Sequence, residues 1–209
     1  MADFTQMERA ILGELWVSNA LWQNLAYLCD ACNGRFSGSE DERRAGDYLL
    51  ERFRAYGLEH VHAEPFEMPG WERGEAHLIL LADGKELELP CLALPGSPGC
   101  RLESEIVDIK QGDPEEYQKL EGGAAGKIAF NSVDGIARSD MYQAAIDAGA
   151  AAFILHGGQP GMLPPTGSIG KELPAISLAH EGSTRLQRLL SAGPVRARLA
   201  LTCKQIPVT

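Results

Sequence analysis

Residues Gly126 to Leu186 read GKIAFNSVDGIARSDMYQAAIDAGAAAFILHGGQPGMLPPTGSIGKELPAISLAHEGSTRL, and their punctuation decides the fold class. Lys127 to Phe130 is a short apolar run that suits a buried strand. Ser139 and Asp140 are residues that cap a helix, and Gly149 is the residue that ends one, so a helix is expected between them. Ala151 to Leu155 is the next buried strand, and a further strand follows it in the segment. Strand, helix, strand and strand in this order predict an α/β fold.

The remainder of the chain supplies the flanks. Residues Thr5 to Tyr56 read as two helices. The first carries Leu12, Leu15, Trp16, Asn19, Trp22, Leu25, Ala26 and Cys29 at spacings of three and four, an apolar stripe that must pack on something. Asn33-Gly34 stops it. Ser39 with Glu42 forms a capping box for the second helix, which lines up Ala45, Leu49, Phe53 and Tyr56 and ends at Gly57. Val61 to Met68 then alternates as an edge strand interrupted by Pro65. Leu78 to Leu81 and Glu86 to Leu89 flank Asp83-Gly84 as a hairpin, followed by a crowd of proline and glycine from Pro90 to Gly99. Glu105 to Ile109 reads as a strand, Pro114 to Leu120 as a short helix starting near Asp113, and Val195 to Leu201 as a last alternating strand.

The 209 residues, 44% hydrophobic and 23% charged, suffice for a substantial core in one or two domains. A formal charge of −10 with no basic run argues against nucleic acid or an anionic membrane as partner. The apolar runs are far shorter than the roughly 20 residues that span a bilayer. The start MADFTQME lacks the pattern of a signal peptide. Five cysteines without framework spacing fit reduced thiols, so a cytoplasmic protein is expected.

The Gly126 to Leu186 segment resembles the protease-associated (PA) domain, whose "GKI" strand, helix ending in "AGA", apolar strand and "IPAISI"-like strand recur here. GRFSGSEDERRAGDYLLERFRAYGLE, Gly34 to Glu59, resembles the opening of the M28 zinc peptidases, in which a PA domain is inserted before the metal site. The two likenesses occur in the family's order. They imply a PA-type β/β/α domain of small mixed sheets with flanking helices, preceded by a two-helix segment. Residues 1–68 would be the helical segment and edge strand of the peptidase body, 69–203 the PA domain, and 204–209 the start of a catalytic domain.

The same resemblance implies a non-catalytic lid that limits peptide access, with the peptide substrate and the peptidase's own catalytic domain as partners. The two zinc ions of M28 enzymes would belong to that absent domain, because none of His60, His62, His77, His156 and His180 is followed two residues later by Asp. The loop from Gly157 to Lys171 corresponds to one where PA domains touch partners, which singles out His156, Gln159, Met162 and Lys171, with Arg138 as a further candidate contact; Arg138 and Arg73 are of the type to meet a substrate carboxylate, but a solvated surface charge is the safer reading of both. No catalytic, cofactor or metal residue is assigned. The exposed helical stripe also makes a homo-oligomer an expectation.

Other patterns are weaker. His60-Val61-His62 puts two rings on one face of a strand but reads better as solvated. Cys29-Asp30-Ala31-Cys32 has the spacing of zinc ribbons and redox pairs, yet it lacks a second pair and falls at a helix end. Gly167 to Glu172 fails as a phosphate loop, since Pro165 and Glu172 stand where Gly and Ser/Thr are needed. Gly96 to Gly99 is a turn. A self-standing PA-type interaction module, and a small metal or thiol protein using Cys29 and Cys32, remain the alternatives.

Overall fold

A computed structural model describes residues 4–82, 84–161 and 172–207. The chain divides into two compact units: unit 1 comprises Met1–Gly70 with Pro207–Thr209, and unit 2 comprises Trp71–Ile206. Asp83, Met162 and Lys171 lie outside the described residues.

Unit 1 holds three helices rather than two: α1 (Thr5–Val17), α2 (Ala20–Asp30) and α3 (Glu40–Ala55). The stripe read as one helix breaks at Ser18-Asn19. Ser18 is extended and its Oγ accepts the Ala20 N–H at 3.2 Å, which gives the backbone a local alternative to the next helical bond. Helix α3 begins as its capping box requires: Ser39 Oγ accepts the Glu42 N–H at 3.2 Å, and the Glu42 carboxylate reaches back to the Gly38 N–H. Acidic Glu40, Asp41 and Glu42 open it and Arg52 and Arg54 close it, matching the helix dipole at both ends. Helices α2 and α3 meet through a polar clamp. Tyr48 OH donates to Asn24 Oδ1 at 2.6 Å, Asn24 Nδ2 donates to Tyr56 OH at 2.7 Å, and the Tyr27 and Tyr48 rings stack 4.0 Å apart.

The edge strand expected at Val61 to Met68 is not formed; residues 61–68 have no regular structure. A strand exists only through its pairing, and Pro65 withholds one donor. His60 takes a left-handed φ of 56°, and its carbonyl is engaged by His62 Nδ1 at 2.6 Å. Two rings on one face of a strand is therefore not the geometry of this pair.

Unit 2 is a mixed α/β fold. Its strands are β1 (Gly70–Glu72, which begins on the last residue of unit 1), β2 (Ala76–Ala82), β3 (Lys85–Leu89), β4 (Cys91–Ala93), β5 (Cys100–Asp108), β6 (Ile128–Asn131), β7 (Ala152–Leu155), β8 (Ala175–Leu178), β9 (Val195–Leu201) and β10 (Lys204–Ile206). The helices are α4 (Pro114–Gln118), α5 (Arg138–Asp147) and α6 (His180–Ala192). Where the sequence pointed to small mixed sheets, eight strands join one sheet in the order β3-β2-β9-β5-β6-β7-β8-β4, and β1 with β10 forms a separate ribbon.

Strands β5 to β8 run parallel; the pairs β2–β3, β2–β9, β5–β9 and β4–β8 are antiparallel. Every residue of β6, β7 and β8 is buried, as expected for central parallel strands covered on both faces. Strand β9 instead alternates buried Val195, Ala197 and Leu199 with outward Arg196 and Arg198.

One face packs Phe153, Leu155, Ala129 and Val107 against Met141, Tyr142 and Ala145 of α5. Helix α5 starts earlier than Ser139 and Asp140 suggested: Ala137 is its N-cap, no side chain caps it, and Ser139 Oγ bonds Asp140 Oδ1 at 3.2 Å instead. Its C-terminus follows the sequence. Gly149 has a left-handed φ of 71°, and the Ala150 N–H returns to the Ala145 carbonyl at 3.0 Å. The Gly96 to Gly99 turn buries Ser97. Its Oγ accepts the Ala175 N–H at 2.9 Å and its carbonyl accepts from Trp71 Nε1 at 2.8 Å.

Candidate functional site

In open α/β sheets, ligands gather beyond the carboxyl ends of the parallel strands. In unit 2 that edge carries a shallow cavity of about 290 Å³, lined by Ser132 and Asp134 after β6, His156 and Gly158 after β7, and His180 and Ser183 of α6 among others. His156 is brought against Asp134, Nε2 to Oδ1 3.0 Å. Sequence reading named His156 but missed Asp134, which arrives from a loop 22 residues earlier, and also missed Ser183 and Gln187. Gln187 Nε2 donates to the Ser132 carbonyl, tying α6 to the β6 end. The only advance signal was that polar residues follow both strands directly.

Arg138 is half-buried at the start of α5, and Gln159 is exposed; neither lines the cavity. Arg73, read as a solvated charge, is half-buried. Its Nε donates to the Ala93 carbonyl at 3.1 Å, its guanidinium lies 5.6 Å from the Trp71 ring centre, and burial lowers its pKa.

The cavity has the means to hold a polar group but no assembled nucleophile. A relay needs the base on the hydroxyl, whereas Ser183 Oγ accepts the Gly157 N–H at 3.2 Å and His156 faces a carboxylate that is 96% exposed. The positive end of α6 is met from within: Glu181 accepts the Gly161 N–H at 2.9 Å and its own amide, and both bonds lower its pKa.

The thiols are free: Cys29 is exposed, Cys32 fully buried in the turn after α2. Burial pushes Cys91 up to about 12 and Cys100 to about 11, and raises Cys203, whose Sγ donates to the Arg73 carbonyl at 2.8 Å. These three stay protonated at neutral pH and are not activated nucleophiles. No three His, Cys, Asp or Glu side chains converge among the described residues, and no described helix is long and apolar enough to cross a membrane.

The larger concavity lies in unit 1. A groove of about 580 Å³ runs between α3 and residues 62–68, floored by Leu49, Leu50, Phe53, Pro65, Phe66 and Met68. Its rim is charged, with Arg43 bridging Glu40 at 2.5 Å and Asp47 at 2.8 Å. Phe66 is 72% exposed. The floor is mainly apolar and open to water, which is the character of surfaces that bind partners.

No family model matches the chain. Human carboxypeptidase Q (Homo sapiens) is 26% identical over 91% of this chain and 44% of its own length, and the Bos taurus protein is 33% identical over 53% of this chain and 23% of its own. The crystal structure of a peptidase M28 precursor from Shewanella amazonensis superposes with a TM-score of 0.80 at 22% identity, covering 98% of this chain and 51% of that one. An aminopeptidase from an Aneurinibacillus strain does so with a TM-score of 0.65 at 23% identity, covering 90% and 45%. The chain thus spans about half the length of these relatives. It is related to carboxypeptidase Q in sequence and shares its fold with part of the M28 peptidases, which makes it a peptidase-related chain.

Proposed function

We propose that this chain is the non-catalytic portion of an M28-type zinc aminopeptidase. In this reading, unit 1 belongs to the catalytic body and unit 2 is a PA-type lid that restricts which peptides reach the metal. The described residues do not fit a zinc site, so the two zinc ions and the hydrolytic step are assigned to residues outside this chain. The chain contributes surfaces instead: the polar cavity with His156 and Asp134 faces peptide, and the unit 1 groove receives the catalytic domain.

The groove is the observation that carries the reading. Leu49, Phe53 and Phe66 stand open in a chain that spans half of its peptidase relatives, and residues 61–68 alternate like a strand without a neighbour among the described residues. Both features are accounted for if the remaining half of a peptidase supplies the cover and the neighbouring strand.

The test is peptidase activity on aminoacyl and dipeptide substrates with added zinc. The chain alone is expected to be inactive, and the polypeptide continued by whatever its gene encodes after Thr209 is expected to be active. Turnover by the chain alone overturns the reading, and a stop codon after Thr209 replaces it with a self-standing PA-type interaction module.

A further inference from the structure

We propose that Cys29 and Cys32 are a redox pair, a dithiol that closes to a disulfide when it meets glutathione disulfide. This does not depend on the peptidase reading. The two thiols are placed in opposite ways: Cys29 is exposed on the last turn of α2, and Cys32 is 0% exposed in the turn that follows. In a unit whose larger side chains stand open, Cys32 is the most deeply buried of the hydrophobic side chains described. An exposed thiol that an oxidant can reach, backed by a sheltered one that only its neighbour can reach, is the arrangement of a redox sensor with its resolving cysteine.

Backbone geometry puts the pair within closing distance. Cys29 and Asp30 are helical, and Ala31 keeps a right-handed helical conformation, φ −99° and ψ −19°, with its N–H bonded to the Tyr27 carbonyl at 2.9 Å. Residues at i and i+3 of a helix have Cα atoms about 5 Å apart, inside the roughly 4.4–6.8 Å that disulfides span. Their Cβ atoms are about 5–6 Å apart, against about 3.5–4.5 Å in a disulfide, so closure draws Cys32 toward Cys29 by about 1–2 Å. Cys32 lies beyond the helix. Asn33, with a left-handed φ of 30°, and Gly34 follow it in the turn, which takes up that shift. Arg44 Nη1 donates to the Ala31 carbonyl at 2.8 Å and Arg35 to the Leu28 carbonyl, which holds the helix end in place meanwhile.

The other roles open to such a pair fit less well. Two thiolates are two ligands short of a structural zinc site, and no group of three metal-binding side chains occurs among the described residues. Disulfide oxidoreductases place their pair at a helix N-terminus, whereas this one ends a helix, so its role is that of a switch and not of a catalyst. The exchange runs in two steps. Cys29, as thiolate, attacks one sulfur of glutathione disulfide and releases one glutathione; Cys32 then gives up its proton, attacks the Cys29 sulfur and releases the second. Two protein thiols are oxidised, one disulfide is reduced, and the two protons end on the glutathione thiols. A ring closed over only four residues gains less from chain entropy than a long one, so the bond stays reducible, as a switch requires. Burial raises the pKa of Cys91, Cys100 and Cys203, which keeps them from competing for the oxidant.

The experiment equilibrates the full 209-residue chain in glutathione buffers of rising disulfide content and quenches it in acid. The chain is then unfolded, its free thiols are trapped with N-ethylmaleimide, and the peptides are mapped by mass spectrometry. One transition is expected, in which Cys29 and Cys32 lose their thiols together to an internal disulfide while Cys91, Cys100 and Cys203 are trapped as thiols. Dithiothreitol should reverse it. Cys32→Ala keeps the buried site apolar and is expected to stop at a glutathione adduct on Cys29. Cys29→Ser is expected to leave Cys32 a free thiol throughout, because the oxidant does not reach it. Circular dichroism checks that both variants keep their helices, and the map of the unsubstituted chain decides by itself should either unfold. A chain that stays reduced with glutathione disulfide in excess overturns the proposal, as does one that stops at the Cys29 adduct or pairs either cysteine with another thiol. A glutathione adduct on Cys32 in the folded Cys29→Ser chain also overturns it, since Cys32 would then not be sheltered.

Discussion

Unit 2 has a closed core and unit 1 does not. Among the described residues, all of the large hydrophobic side chains left exposed lie in unit 1 except Val133 and Ile136, while only Cys32 and Ala45 of the buried apolar set are found there. Yet both units carry apolar periodicity in sequence. Amphipathic periodicity says that a face will be covered, not by what. In unit 2 the cover is supplied by sheet and helices of the same unit; in unit 1 the described residues leave the face open. An open apolar face is the kind of surface that partners use, and the closed core of unit 2 is the control.

The sharpest way to break this contrast is to open the unit 2 core. Phe153 is fully buried and meets Tyr142 edge to face, with ring centres 6.3 Å apart. Phe153→Ala should cost about 3–5 kcal/mol, the transfer and cavity terms together. Urea unfolding followed by Trp71 emission measures it. A loss below about 1 kcal/mol would mean that the core is not continuous and that the two units do not differ in kind.

A smaller effect is expected at Ser97, the one polar side chain that fixes the Gly96 to Gly99 turn to β8. Ser97→Ala removes the acceptor of the Ala175 N–H and leaves that buried donor unpaired, at about 1–3 kcal/mol. Hydrogen exchange at the Ala175 amide should accelerate in step. Unchanged exchange would show that the turn is held by Trp71 instead, through its bond to the Ser97 carbonyl.

Strands β6, β7, β8 and β9 were legible because each is a local run whose residues reveal their own burial. Strands β1, β4 and β10 were not. Each has three residues, and β4 is a strand only because Cys91 to Ala93 pairs with Leu178 to Ile176 far along the chain. The same distance hid Asp134 from a reading that found His156. Conversely, residues 61–68 were read as a strand from alternation alone, which is necessary for a strand and insufficient without a neighbour. The capping box at Ser39 succeeded because both of its bonds lie within a few residues.

The thiols sharpen the comparison through pH. Burial raises Cys91 to about 12 and Cys100 to about 11, so the folded state of unit 2 favours the protonated forms. A group whose folded pKa is raised contributes stability that is complete below its unfolded value and lost as pH climbs toward the folded one. Stability should therefore fall from about pH 9 toward about pH 11–12, with the folded protein binding more protons than the unfolded chain. Urea midpoints at about pH 8 and about pH 10.5 measure the slope, and Cys91→Ser should flatten it. An equal slope in that variant would assign the alkaline loss to other groups. At neutral pH, exposed Cys29 of unit 1 should be alkylated well before Cys91.

The smallest expected effect tests unit 1 itself. Phe66 is 72% exposed and lies over the α3 groove, so in the isolated chain its ring has little packing to lose. Phe66→Ser should change the unfolding free energy by no more than about 0.5 kcal/mol, as surface positions away from special features do. In a polypeptide that carries the proposed catalytic domain, the same substitution should cost about 2–4 kcal/mol, because a buried phenylalanine would then be replaced by a small polar side chain beside a cavity. The difference between the two measurements is the observable, since each protein serves as the other's reference for propensity and unfolded-state effects. If Phe66→Ser were already costly in the isolated chain, the groove would be closed by unit 1 itself. Its apolar floor would then be ordinary core, and the case for a covering catalytic domain would rest on the relatives alone.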